Sequence, residues 1–331
     1  MSIKYFIKRF REKQVVYTRH GSLLYTVCYF FDWIISLILQ GASINDYFSY
    51  RFFEKRTNAR NEYITLRRFH KLQRIANSQS DIKVCRQKNL FNKEFGSFLG
   101  REWIDLNDAD KENFASFCTK HKEFFVKEVE GFCGNAVQKY SAGEGFDADR
   151  LHAELMSVPG AHFIAEECIR QHEELRQLHP WSVNTIRIVT LYDEAKDKVH
   201  VMSAKLRMGS GQNKIDNFHC NGICANIDVE TGIIDSRGFD INNHTYVSHP
   251  TTGVTIVGFR IPKWKEHIEC VEKAARSIPK VRYIGWDVVL KDDGELCIIE
   301  ANDNADHDIQ QLHHGGMWRE YKAILKGMSR V

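Results

Sequence analysis

A chain of 331 residues, 43% of them hydrophobic, with 5 prolines and 21 glycines, can bury a sizeable core and is neither disordered nor fibrous in composition. A formal net charge of +3 is too small to single out a nucleic-acid partner. Nine cysteines without a CxxC pair, Cys220 and Cys224 coming nearest at CxxxC spacing, predict neither a zinc site nor a disulfide framework. The thiols read as reduced and mostly packed, and the protein as cytoplasmic.

Residues 1–80 hold no proline and two glycines, Gly21 and Gly41, and predict a helical N-terminal region. Within it, Leu23 to Leu39 reads LLYTVCYFFDWIISLIL, behind a basic segment (Lys4, Lys8, Arg9, Arg11, Lys13, Arg19). A spanning helix needs ~20 apolar residues, and a central Asp such as Asp32 costs ~3 kcal/mol. A buried helix is therefore the expectation. A helix lying peripherally on the inner, anionic membrane surface is the alternative, favoured by the basic flank.

From about residue 80 the texture becomes strand-rich. Phe124-Phe125-Val126 and His162-Phe163-Ile164-Ala165 are short apolar runs. Asn184–Tyr192 and Val199–Met208 read as paired strands, and Ile223–Val229 with Gly232–Ile234 as a hairpin. Pro262–Ser277 predicts a helix with Pro at its start. Tyr283–Leu290 and Glu295–Ala301 predict a hairpin across the turn Lys291-Asp292-Asp293-Gly294. Trp318–Met328 predicts a final helix. Helices followed by a mixed region make an α+β class. The expected division is 1–80 helical, 81–170 a first subdomain and 171–331 a second.

Four constellations carry chemistry. In GWDVVLKDDGELCIIEAND, Asp287 and Glu300 fall near each other at the open end of the hairpin, and Asn302 shares a face with Glu300 because strand side chains repeat every two residues. Two carboxylates and an amide oxygen suit a hard cation such as Mg2+, and a carboxylate set in apolar runs calls for a partner. A hairpin with merely polar ends is the plainer reading. Next, FFVKEVEGFCGN delivers Lys127 from a strand into a loop with Gly131 and Gly134, where backbone amides can approach phosphate. No GK[ST] closes it, and taken alone the segment reads better as an ordinary surface turn. Then HFIAEECIRQHEE leads an apolar strand into Glu166, Glu167, Cys168 and Ile169, whose backbone could read a base, followed by Glu173 or Glu174, which could hold ribose hydroxyls. By itself this is an amphipathic segment leaving the core. Last, Arg187, Lys205 and Arg207 lie in strands. Such cations ordinarily face solvent. Arg187, between Ile186 and Ile188, is the exception and could clamp a transferring phosphoryl group.

In this order the four segments resemble an ATP-grasp protein, over about residues 90–315, and most nearly its sugar-transfer-associated (TupA-like) branch. The spacing of Asp287, Glu300 and Asn302 is similar to the metal-binding hairpin of ATP-grasp ligases such as D-alanine–D-alanine ligase. SVNTIRIVT around Arg187, with His249–Gly253 and Gly258–Trp264, points to the branch. The resemblance implies two α+β subdomains clasping ATP and Mg2+. It makes Lys127 and Lys93 phosphate lysines, Glu166–Ile169 the adenine hinge, Glu173 the ribose carboxylate and Lys205 a second-subdomain lysine near the adenine. Arg187 and Lys127 are the expected catalytic cations.

It also implies carboxylate–amine (or carboxylate–thiol) ligation through an acyl-phosphate, on a sugar or uronic acid and an amino acid, in polysaccharide or cell-surface biosynthesis. A phosphotransferase acting on a sugar or lipid-linked hydroxyl is the alternative, and an inactive binding module the third reading. The usual N-terminal substrate domain is absent or replaced by helices, FHCNGI after Asp216-Asn217 is poor in glycine, and Gly285 stands where several ligases carry a cation. No general base is singled out among His249, His307, His313 and His314. The oligomeric state is open.

Overall fold

A computed structural model describes residues 3–131, 137–212 and 216–331. The chain opens with helices α1 (Ile3–Thr18), α2 (Leu23–Gln40) and α3 (Ile44–Ser49). Phe6 and Phe10 of α1 pack on Phe30 and Trp33 of α2, with ring centroids 5.6 to 6.3 Å apart. Ser43 starts α3 with a reciprocal cap: its hydroxyl accepts from the Asp46 amide at 3.0 Å and the Asp46 carboxylate accepts from the Ser43 amide at 2.7 Å.

The expectation of a buried Leu23–Leu39 helix is not met. The polar residues of α2 face inward instead. Asp32 takes both ends of the Arg60 guanidinium at 2.9 and 2.8 Å and the Tyr47 hydroxyl at 2.7 Å. Ser36 accepts from Arg60 at 2.7 Å, and Gln40 reaches Asn61 at 3.3 Å. With those groups satisfied inside, Leu24, Val27, Phe31, Ile35 and Ile38 are left on the exposed side.

Two antiparallel sheets follow. The smaller holds β1 (Trp103–Asp105), β2 (Glu123–Glu128), β3 (Val137–Ser141) and β4 (Phe163–Glu167), in the order β1-β4-β2-β3. Phe124 and Val126 alternate inward from β2 to meet Phe114, Phe117 and Leu151 of two covering helices, Lys111–Lys120 and Ala148–Met156. The larger holds β5 (Thr185–Asp193), β6 (Lys198–Met208), β7 (Ile223–Ile227), β8 (Gly238–Phe239), β9 (Thr245–Tyr246), β10 (Tyr283–Leu290) and β11 (Leu296–Asn302), in the order β11-β10-β5-β6-β7-β8-β9. Ile186, Ile188, Leu206, Ala225 and Trp286 point to one face, where Val271, Ala274 and Ala275 of helix Trp264–Ser277 cover them. At one end of the opposite face, Val189, Leu191 and Tyr283 are closed over by Phe69, Leu72 and Tyr321 of helices Leu66–Ala76 and Trp318–Leu325. The rest of that face stays open toward the smaller sheet.

Two local expectations shift. Helix Trp264–Ser277 begins two residues after Pro262, because Lys263 takes a left-handed conformation at its N-cap. The segment after β7 returns only as an isolated bridge from Ile227 to Ile234.

The N-terminal helices are tied to the segment following β11. Asp46 accepts from the Leu66 amide at 2.9 Å and lies 3.0 Å from Nε2 of His307, whose ring stacks on Phe69 at 4.6 Å. Burial opposes a charge on His307, but Asp46, with Asp308 and Asp306 behind it, outweighs burial and raises the imidazole above its ordinary value. A raised folded value stabilises the fold below the unfolded value and loses that stabilisation as pH climbs through the folded one. The stability difference between wild type and His307→Gln is therefore expected to be widest below pH ~6.5 and to shrink above the raised value. Urea unfolding at a series of pH values checks this; a gap that does not change with pH sinks it.

Candidate functional site

The open face of the larger sheet carries one transverse row. Cross-strand register sets Glu300 opposite Asp287, Asp287 opposite Arg187, Arg187 opposite Lys205, and Lys205 opposite Asn226. A parallel row sets Thr185 opposite Arg207 and Arg207 opposite Cys224. Residues two apart share a face, so Arg187 and Thr185, and Lys205 and Arg207, all point the same way.

Asp287 is the hub. It is 3% exposed, and both its oxygens are engaged. Arg187 grips it in fork fashion, through Nε to one oxygen and Nη2 to the other at 2.9 Å, and Arg207 reaches the second oxygen at 2.9 Å. Arg207 also lies 3.5 Å from Asp216, which binds the Thr185 hydroxyl. Burial works against charge on Asp287, but Arg187 and Arg207 hold its carboxyl well below the usual range. Glu300 is half exposed, 3.9 Å from Arg187, and accepts from Nδ2 of Asn302 at 3.1 Å. Partial withdrawal from solvent on the cleft wall, and then the Asp287 charge, raise its carboxyl above the ordinary value.

This donor set fits one magnesium ion. Two carboxylates crowded enough to perturb each other are relieved by a divalent cation, and Asn302, using its nitrogen on Glu300, has its oxygen available. Among the described residues no three His, Cys, Asp or Glu form a metal cage.

Gly285, opposite Asn302, allows a close approach. A Cβ there would meet the Ala305 Cβ at 2.7 Å and the Arg187 Cδ at 3.1 Å. Lys205 is buried next to Asn226, with its ammonium over the Phe239 ring at 5.5 Å. Burial pushes it down to about 8, against the pull of Cys224 and Asp235.

The smaller sheet supplies the facing wall of a cleft of about 1730 Å3. Lys127 lies 2.5 Å from Glu166, which also takes Arg101 at 3.0 Å and Asn92 at 2.8 Å. Burial disfavours the Glu166 charge, yet Arg101 and Lys127 outweigh it and keep the carboxyl far below its ordinary value. Arg101 continues across to the larger sheet, donating to the carbonyls of Ile298 at 2.9 Å and Ile299 at 3.2 Å in β11. It is a strut between the two walls.

The structure brings Lys127, Gly131, Glu166, Cys168, Ile169, Glu173, Arg187, Lys205, Asp287, Glu300 and Asn302 to this one cleft. Glu173, first residue of helix Glu173–Leu178, is exposed at the rim. Gly134 lies outside the described residues. Glu167 turns the other way, as its neighbour Glu166 faces in, and its carboxylate accepts from the Glu102 amide at 3.0 Å. Lys93 is not at the cleft. On helix Lys88–Glu94 the buried positions are Asn89, Phe91 and Asn92, and Lys93 projects outward, 3.1 Å from Asp108. Lys88 lines the cleft instead, holding the carbonyls of Glu128 at 2.9 Å and Gly131 at 2.6 Å.

Sequence reasoning set Arg207 aside as a solvent-facing cation. Its i+2 spacing from Lys205 was the signal that the two share a face. Arg101 and Asp216 lie outside the strands and had no pattern to reveal them.

A sequence model of the sugar-transfer associated ATP-grasp family matches residues 49–325. A search of curated proteins returns no match. Solved structures with a similar backbone include the ATP-grasp ligase PsnB with its minimal precursor (15% identity, TM-score 0.46, covering 76% of this chain and 64% of that one). They also include N5-carboxyaminoimidazole ribonucleotide synthetase from Thermotoga maritima (9%, 0.46, 80% and 57%) and D-alanine–D-alanine ligase from Coxiella burnetii (12%, 0.43, 77% and 60%). The chain thus spans less than two thirds of the length of these structures. By the family match, which takes in most of its length, the chain belongs to the sugar-transfer-associated family of ATP-grasp enzymes.

Proposed function

We propose that this protein is an ATP- and magnesium-dependent carboxylate–amine ligase working through an acyl-phosphate. The observation that carries the reading is the row Glu300–Asp287–Arg187–Lys205 on one wall of a cleft whose other wall presents Lys127 and Glu166. The hinge from Glu166 to Ile169 would seat the adenine, and Glu173 at the rim the ribose. Gly131, its carbonyl held by Lys88, lines the cleft and would lie near the phosphates. Lys127 and Lys205 would contribute positive charge to the nucleotide.

Glu300 and Asn302, with the lone pairs left on Asp287, would hold magnesium, which when bound neutralises phosphate oxygens. Asp287 fixes Arg187 and Arg207 in place before any substrate arrives, so no reorganisation is needed when charge develops. A substrate carboxylate would attack the γ-phosphorus and ADP would leave. An amine would then attack the acyl carbon, lose its proton, and expel phosphate. With its Nε–Nη2 edge held by Asp287, Arg187 would meet a phosphoryl group in flight through the Nη1 side of its guanidinium.

The family description, sugar-transfer associated, supports a sugar or uronic-acid carboxylate and an amino-acid amine, in polysaccharide or cell-surface synthesis. Eight free cysteines among the described residues fit a reducing, cytoplasmic setting. The test is a matrix of carboxylates and amines scored for ADP release with magnesium present, with products identified by mass. Release that needs both partners and yields an amide is the expected result. Phosphate on a hydroxyl product would replace ligation by phosphotransfer, and release that no carboxylate stimulates would defeat the ligase reading.

A further inference from the structure

Helix α2 is built with its polarity reversed. Leu24, Val27, Cys28, Phe31, Ile35, Ile38 and Leu39 recur at i, i+3, i+4, i+7, i+11, i+14 and i+15, one continuous face, and all are exposed. Phe31 is 62% and Ile38 66% exposed, where a water-facing helix side would carry charge. The opposite face, with Trp33, Ser36 and Gln40 buried and Asp32 on Arg60, is bonded to the protein body. Trp33 adds a bond from its indole nitrogen to the Ala42 carbonyl at 3.2 Å. Arg67 holds the last carbonyls of the helix, Ile38 at 3.2 Å and Leu39 at 2.9 Å. An exposed apolar face of this extent marks an interaction surface.

The charge around the stripe chooses the occupant. On α1, Lys4, Lys8, Arg11 and Val15 share a face at i, i+4, i+7 and i+11 and are exposed, as are Arg9 and Arg19. The acidic residues of the two helices are Glu12 and Asp32, and Asp32 is spent on Arg60. Arg11 reaches the Gly21 carbonyl at 3.5 Å, which sets the basic face beside the start of α2. A second copy docking here by two-fold symmetry would bring the same cations together. A surface that is both apolar and negatively charged has no such conflict.

We propose that α2 lies flat on an anionic lipid bilayer, its outer face entering the boundary between headgroups and acyl chains while the basic face of α1 meets the lipid phosphates. By length and composition α2 is apolar enough to cross a membrane. Crossing would pull Asp32, Ser36 and Gln40 off Arg60, Tyr47 and Asn61 and leave them in hydrocarbon. Lying flat keeps every one of those bonds.

The full-length protein is floated with phosphatidylcholine vesicles and with phosphatidylcholine–phosphatidylglycerol vesicles. Binding to the anionic vesicles alone, weakened by salt and reversed by alkaline carbonate, is expected. Phe31→Glu/Ile38→Glu and Lys8→Glu/Arg11→Glu should each lower the bound fraction about tenfold or more, with melting temperature unchanged because all four side chains are exposed. Three results overturn the proposal. Wild type could fail to float with anionic vesicles. It could resist carbonate, as a spanning helix does. It could scatter light as a dimer that Phe31→Glu separates, with no vesicle binding. The comparison of lipids uses wild type alone, so the proposal stays testable even where a variant misfolds.

Discussion

Glu300→Gln is expected to lower ATP-dependent phosphate release by about 10²-fold or more while the protein stays folded. The substitution keeps size and shape and retains an oxygen to accept from Asn302. It removes one of the two carboxylates proposed to hold magnesium. In the free protein that carboxylate is the disfavoured one, since burial and Asp287 both raise it. Neutralising it leaves Arg187 and Arg207 still balanced by Asp287. A loss of turnover would therefore reflect charge at the phosphates and not a broken core. Steady-state ADP release at saturating ATP, beside urea unfolding of both proteins, separates the two. Unchanged turnover would remove the catalytic reading of the row.

Arg101→Met is expected to destabilise the fold by about 3–5 kcal/mol. The Arg101 side chain is 2% exposed and joins two sheets that, among the described residues, no strand pairing links. Its loss leaves the 3%-exposed Glu166 carboxylate with Lys127 and Asn92 only, and frees the carbonyls of Ile298 and Ile299. Lysine is a poor substitute, because a point charge cannot reach the carboxylate and two carbonyls through one planar fork. Equilibrium unfolding of Arg101→Met, Glu166→Gln and the double variant measures the coupling. A single-variant loss below about 1 kcal/mol, or full additivity, would show that Arg101 is not the strut described.

Both effects rest on side chains whose neighbours were legible to very different degrees. The turn of the β10–β11 hairpin could be read from local chemistry: Gly294 takes φ +83°, the Lys291 amide closes on Glu295 at 2.9 Å, and Val288 falls opposite Ile298; a bulge at Ile299 then shifts the register by one and brings Asp287 opposite Glu300. Turn type and strand alternation determine the pairs next to the turn, while the bulge that completes the Asp287–Glu300 pair leaves no mark in the spacing. The same alternation placed β5 and β6 and made Arg187 conspicuous between two isoleucines.

Helical phase was less secure. On Lys88–Glu94 a lysine at either end was available, and only packing of Phe91 and Asn92 decided that Lys88 meets the cleft and Lys93 does not. The polarity of α2 was beyond local reading. A helix of apolar residues with one Asp predicts burial, until Arg60, 28 residues away from Asp32, claims that Asp and turns the helix over.

The short strands β1, β3, β8 and β9 left no signal in the sequence; what the sequence by itself determined is the long strands β5, β6, β10 and β11, the carboxylate hairpin and the family resemblance that linked them. These depend on contacts a few residues apart or on spacing that survives without a structure. The tertiary structure alone decided that Asp287 is gripped by two arginines, that Arg207 faces inward beside Lys205, that Arg101 joins the walls, and that α2 presents its apolar side outward. Each is an electrostatic or packing choice among groups distant along the chain. Charge placement in a fold is settled by which partner arrives, and no periodicity in a single segment records that partner.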